Sequence, residues 1–126
     1  MITLYLLNAI LIGHFMGDYI FQKTIVVPDK QSLLSLLLHS LIYTFVFGVI
    51  FFAATYKMYD SSLIFQYIIL NGFLHYAVDV ISGIIKNQYI KHDYENLGDN
   101  GFFPTIGFDQ LLHVLILFHT FVLMLN

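Results

Sequence analysis

Three histidine and aspartate pairs recur at a spacing of four residues: His14/Asp18, His75/Asp79 and Asp109/His113. Four residues is close to one helical turn, so each pair sets an imidazole and a carboxylate on one helix face. Each pair also continues into a longer polar stripe. Gln22 follows Asp18, Asn71 precedes His75 and Lys86 follows Asp79 on compatible spacings, while Gln110 adjoins Asp109. A fourth stripe carries Ser32, Ser35, His39 and Tyr43. Imidazole nitrogen and carboxylate oxygen together suit zinc first, then manganese or iron, and do not suit calcium. The chain has no cysteine, so a divalent metal here must take imidazole, carboxylate or amide ligands. The chemistry on offer is therefore metal binding and, through a metal-activated water, hydrolysis.

The elements that must position these groups are apolar. Of 126 residues, 59% are hydrophobic and only 10% charged, too few charges to coat a soluble surface. A domain this small cannot hide so much apolar surface in water, so lipid has to cover it. Four apolar runs stand out, at 2–22, 33–56, 62–85 and 102–125. Each is about long enough to cross a ~30 Å hydrocarbon core at ~1.5 Å per residue, and in lipid such runs must be helical to pair their backbone groups. The first run has no basic leader and contains Asp18 and Gln22, which reads as a span and not as a cleaved signal peptide. The expectation is one domain over 1–126, an all-α integral membrane four-helix bundle with short loops.

The intervening segments are 23–32, 57–61 and 86–101, broken by Pro28 and an Asp/Asn/Gly-rich stretch. Lys23, Lys30, Lys86 and Lys91 fall on one side of the bundle against Lys57 on the other. By the positive-inside rule, 23–32 and 86–101 face the cytoplasm and both termini lie outside, as for a bacterial inner-membrane protein. Tyr19, Tyr56, Tyr59, Tyr67, Tyr89 and Tyr94 fall near span ends, where amphipathic rings favour the interface. The lysines are scattered and arginine is absent, so nucleic acid is excluded as a partner.

The order within the third pair is reversed, and so is the direction of its helix. Counted from the cytoplasmic side, Asp18, Asp79 and Asp109 lie roughly 6–10 Å deep, and His14, His75 and His113 roughly 13–17 Å deep. His39 falls at about 10 Å. Three carboxylates share one layer and three imidazoles the next. An aspartate near mid-span costs ~2.5–3.5 kcal/mol on insertion scales, so the set needs compensation by protons, mutual hydrogen bonds or a cation. Gly13 and Gly17 flank the first pair at the small-x-x-x-small spacing that lets helices approach.

These positions define the candidate site. His14, Asp18, His75, Asp79, Asp109 and His113 are the candidate metal ligands, for one or two ions. His39 and a carboxylate left over from ligation, Asp18 among them, are candidates for the general base. Gln22 and Gln110 would orient ligands or substrate, and Lys86 with Lys23 would hold an anionic head group. His119 lacks a partner four residues away, and His92, Asp93, Glu95 and Asp99 read as a solvated loop.

The motifs resemble those of a bacterial and phage family of small polytopic membrane proteins catalogued as a domain of unknown function. That family has H-x-x-x-D-x-x-x-Q near its start, matched by His14, Asp18 and Gln22, and a histidine in a leucine-rich second span, matched by LLSLLLHSLIY. A later H-x-x-x-D is matched by His75 and Asp79, and a closing D-Q-x-x-H by Asp109, Gln110 and His113. The resemblance covers nearly the whole chain and implies a polytopic membrane fold without an activity. In style the motif set is similar to the membrane-bound metal-dependent hydrolases of bacteria, an analogy only.

The leading expectation is a membrane-embedded metal-dependent hydrolase acting on a lipid or lipid-linked ester or phosphoester at the cytoplasmic leaflet. A divalent-cation or proton carrier is a second reading, since ionisable groups in spans also mark ion paths. A third is a non-catalytic membrane subunit or phage-type effector whose histidine and aspartate network only fixes helix packing. A homo-oligomer is compatible with all three.

Overall fold

The computed structural model describes residues 3–20, 33–89 and 98–125, and within them side chains outside 86–106. Among these residues the chain is four helical segments without a strand. Helix α1 runs Leu4–Phe15 and continues into a π-helical turn at Met16–Ile20. Helices α2, α3 and α4 run Leu33–Thr55, Ser61–Tyr89 and Gly98–Leu125. Three stretches, Leu33–Thr55, Ser61–Ile85 and Gly107–Leu125, are long and apolar enough to cross a membrane. The described part of the first run, Leu4–Ile20, is shorter. Its expected ends at 2 and 21–22 lie outside the described residues.

Local signals set the helix starts. Thr3 caps α1, its hydroxyl accepting from the Leu6 N–H at 3.3 Å. Asp60 caps α3, its carboxylate accepting from the Ser62 N–H at 2.8 Å and its carbonyl from the Ile64 N–H at 3.0 Å. The expected long connection at 86–101 is shorter than the sequence suggested. Helix α3 persists to Tyr89 and α4 already begins at Gly98. Backbone bonds from residue i to i−4 close regardless of hydropathy, so a helix runs past the end of its apolar stretch.

Neighbouring helices are antiparallel, as cross-helix partners demonstrate. His14 meets Tyr43 while Asp18 meets His39, which fixes α1 against α2. His39 meets His75 while Phe51 stacks near Tyr67, which fixes α2 against α3. Tyr67 donates to the Leu117 carbonyl and Ser82 to Asp109, which fixes α3 against α4. Helix α1 also touches α4, so the four close into a ring.

The interior divides into two halves. One holds the polar residues described below. The other is filled by Leu6, Ile10, Phe47, Phe51, Ile64, Tyr67, Leu117, Phe121 and Leu125. Tyr43, Phe47 and Phe51 stack along α2 with centroids 5.7 and 5.6 Å apart and planes within 10°. Tyr67 is fully buried here, not at the interface as its place near a span end suggested. The bundle's outer face is strongly apolar, with Phe45 73%, Phe73 67% and Leu123 83% exposed. Hydrocarbon suits that surface and water does not.

Lipid offers apolar side chains no advantage in packing against each other, so the helices associate by close contact and interhelical hydrogen bonds. Gly17 provides the closest approach in the first pair. A Cβ there would lie 2.9 Å from Tyr43 Cδ2 and 3.2 Å from the Tyr43 carbonyl oxygen. Gly83 faces open space, and a Cβ there would meet nothing within 4 Å. Gly17→Ala is therefore expected to lower stability by about 1–3 kcal/mol, whereas Gly83→Ala gains up to about 1 kcal/mol from helix propensity. Thermal unfolding of both variants in mild detergent checks the opposite signs.

Candidate functional site

Four helices each deliver one histidine to the polar half. His14, His39, His75 and His113 are all at least 96% buried, with Asp18 on the π-helical turn and Asp79 one turn beyond His75. The wider turn at Met16–Ile20 departs from regular α-helical phase at the residue that must face α2, as π-turns at functional sites often do.

His39 is the hub. Its Nε2 lies 3.0 Å from Asp18 Oδ1, 3.5 Å from Asp79 Oδ2 and 3.3 Å from His75 Nε2. His75 Nε2 is in turn 3.4 Å from Asp79 Oδ2 and 3.8 Å from Asp18 Oδ1. The atoms His39 Nε2, His75 Nε2 and Asp79 Oδ2 thus form a triangle with sides of 3.3, 3.4 and 3.5 Å. A tetrahedral ion with bonds of about 2.0–2.2 Å has ligand-to-ligand edges of about 3.3–3.6 Å, so this triangle has the dimensions of one face of such a site. Asp18 Oδ1 adjoins the His39–His75 edge as a further donor atom. Donor atoms also lie within 4.8 Å of one another in the sets Asp18, His39 and His75, and His75, Asp79 and His113.

The remaining side chains brace this cluster. Gln110 donates through Nε2 to Asp18 Oδ2 at 2.9 Å, which turns its Oε1 toward His14 Nε2 at 3.0 Å. An amide oxygen only accepts, so His14 Nε2 carries a proton and Nδ1 is left to accept from the Tyr43 hydroxyl at 3.2 Å. Both nitrogens of His14 are thereby engaged. Tyr43 also stacks on the His75 ring, centroids 3.7 Å apart and planes 6° from parallel. His113 Nδ1 lies 3.0 Å from its own helix's Asp109 carbonyl, which holds the ring with Nε2 toward Asp79 Oδ1 at 3.6 Å. The Asp109 carboxylate accepts from the Ser82 hydroxyl.

A family model described as a protein of unknown function, DUF3307, matches residues 6–126. The chain belongs to this family. No curated protein and no solved structure matches it.

In this DUF3307 chain the positions singled out by spacing divide into three sets. Asp18, His39, His75, Asp79 and His113 converge. His14 and Gln110 flank them through hydrogen bonds, and Asp109 reaches Ser82 at the edge of a cavity of about 100 Å³ between α3 and α4. The imidazoles of His14, His75 and His113 are neighbours, with centroids 4.3 to 6.1 Å apart. Gln22, Lys23 and the side chain of Lys86 lie outside the described residues, as do His92, Asp93 and Glu95. His119 is exposed, its Nδ1 2.9 Å from the Leu115 carbonyl of its own helix. Ser82 was not anticipated from sequence, although it lies three residues past Asp79 on the same helix face. Tyr43 was visible only as part of a polar stripe, and its stacking on His75 follows from the α2–α3 contact.

Gln110 joins two buried partners on α1. Gln110→Leu leaves the His14 Nε2–H and Asp18 Oδ2 without this partner and is expected to cost about 2–4 kcal/mol. The fall in unfolding temperature relative to wild type in the same detergent measures it.

Proposed function

We propose that the protein is a membrane-embedded divalent-metal protein, and specifically a hydrolase of a lipid or lipid-linked ester or phosphoester at the cytoplasmic leaflet. The observation that carries this reading is the triangle of His39 Nε2, His75 Nε2 and Asp79 Oδ2, with sides of 3.3 to 3.5 Å. Electron-rich atoms gathered so closely in a low-dielectric interior repel one another unless protons or a cation lie among them. Neutral nitrogen with carboxylate oxygen in this proportion suits zinc, with manganese or iron as alternatives.

In this reading His39, His75 and Asp79 hold the ion, with Asp18 beside them. A bound divalent ion lowers the pKa of its water toward about 7 and polarises the scissile group. Gln110 fixes the Asp18 carboxylate, and His14 with Tyr43 fixes Gln110. With Asp18 and His39 in the ligand set, Asp109 is the carboxylate left to take up a proton. It borders the α3–α4 cavity, whose other walls are Val78, Ile81, Ser82, Ile85, Phe108 and Leu112. Apolar walls around a polar floor fit an amphiphile entering sideways from the bilayer. The lysine bias of 23–32 and 86–101 supports placing this end of the bundle at the cytoplasmic face, with both termini outside.

A carrier needs polar groups through the full thickness of the bundle. Beyond the site, Phe47, Phe51 and Phe121 are fully buried and fill the far half, Phe47 stacked on Phe51 and Phe121 edge-on to it. That arrangement favours a pocket open at one end.

Protein purified in mild detergent with zinc or manganese supplied should retain at least one equivalent by elemental analysis, and His75→Ala and Asp79→Asn should lose it. Lipid phosphates and esters presented in mixed micelles should be cleaved, with cleavage stopped by chelation. Asp109→Asn should keep the metal and lose activity by about 10²-fold or more. Wild-type protein that holds no metal after supplementation refutes the reading.

A further inference from the structure

Asp79 faces two different sets of histidines with its two oxygens. Oδ2 lies 3.5 Å from His39 Nε2 and 3.4 Å from His75 Nε2, whereas Oδ1 lies 3.6 Å from His113 Nε2. The protonation of His113 follows from its other contact. Its Nδ1 sits 3.0 Å from the Asp109 carbonyl, which can only accept, so Nδ1 carries the proton. In the neutral ring Nε2 then presents a lone pair. That atom is buried, has no hydrogen-bond partner among the described residues, and is aimed at a carboxylate oxygen. The residue is 3% exposed, so water does not satisfy Nε2.

We propose a second divalent-cation site between Asp79 Oδ1 and His113 Nε2, with Asp79 bridging it to the ion held by His39 and His75. This inference rests on the metal-binding reading above and goes beyond it in the number of ions and in the role of His113. The 3.6 Å separation agrees with the about 3.3–3.6 Å edge set by ordinary bond lengths to imidazole and carboxylate. His75 belongs to both groups of converging donors, and its ring lies 4.3 Å from that of His113, centroid to centroid. Two ions bridged by a carboxylate about 3.5–4 Å apart form the arrangement that clamps both the attacking and the leaving oxygen of an in-line displacement. The lone pair of Nε2 and the free rotation denied to the ring by Asp109 make His113 a ligand of fixed direction.

The test uses the full chain in mild detergent, saturated with Mn2+ and freed of loosely held ion. Two equivalents by elemental analysis, with an electron paramagnetic resonance spectrum of an exchange-coupled pair, are expected. His113→Gln should hold one equivalent and give the spectrum of an isolated ion. A single uncoupled ion in wild type overturns the second site and leaves the first intact. No bound Mn2+ in wild type, and no zinc in a parallel sample, overturns both. Two coupled ions in His113→Gln overturn the assignment to His113. The wild-type spectrum decides the existence of the pair even if the variant fails to fold.

Discussion

Two carboxylates inside the bundle, Asp18 buried and Asp79 nearly so, constrain everything around them. Neither can be left bare in a medium that solvates charge poorly. His39 resolves this by lying within 3.0 Å of one and 3.5 Å of the other from a third helix. That requires α1, α2 and α3 to approach closely at one level, and the absence of a side chain at Gly17 allows it, where both the ring and the backbone of Tyr43 press against α1. The bundle's packing and its electrostatics are thus one problem with one solution. Loosening the α1–α2 contact would separate Asp18 from His39 as directly as mutating either.

The two halves of the interior are coupled through Tyr43. Its ring continues the stack of Phe47 and Phe51 on one side and lies flat on His75 on the other, while its hydroxyl reaches His14. An aromatic ring with a hydroxyl suits that position, being apolar over its faces and polar at its edge. Below it the polar groups pair locally. Tyr67 donates to the Leu117 carbonyl, Asn71 to the Tyr67 carbonyl and Thr120 to Asn71. These bonds satisfy the groups they join and stabilise the contact of α3 with α4, and they stop at the layer of buried phenylalanines.

Depth was legible in the sequence and rotation was not. Apolar length marked the stretches that lie in α2, α3 and α4, and the alternation of spans gave the final helix the direction in which Asp109 precedes His113. The same counting put His39 between the carboxylate and imidazole levels, where it bridges Asp18, Asp79 and His75. A spacing of four says that two side chains share a face. It does not say which neighbour that face meets. Here His14 and Asp18 both face α2 and Gln110, the first meeting Tyr43 and the second His39. Asp18 sits on a π-helical turn that no residue in MGDYI announces by type. Tyr67 failed as an interface marker for the same reason, since nearness to a span end fixes depth and not direction.

The division of labour among the aspartates follows from the same geometry. Asp18 and Asp79 point into the ring of helices and are enclosed by imidazoles. Asp109 has its carbonyl committed to His113 and its carboxylate to Ser82, so one residue orients an inner histidine through its backbone and faces an apolar cavity with its side chain. A change in how that carboxylate is engaged reaches His113 through the backbone of the same helical turn.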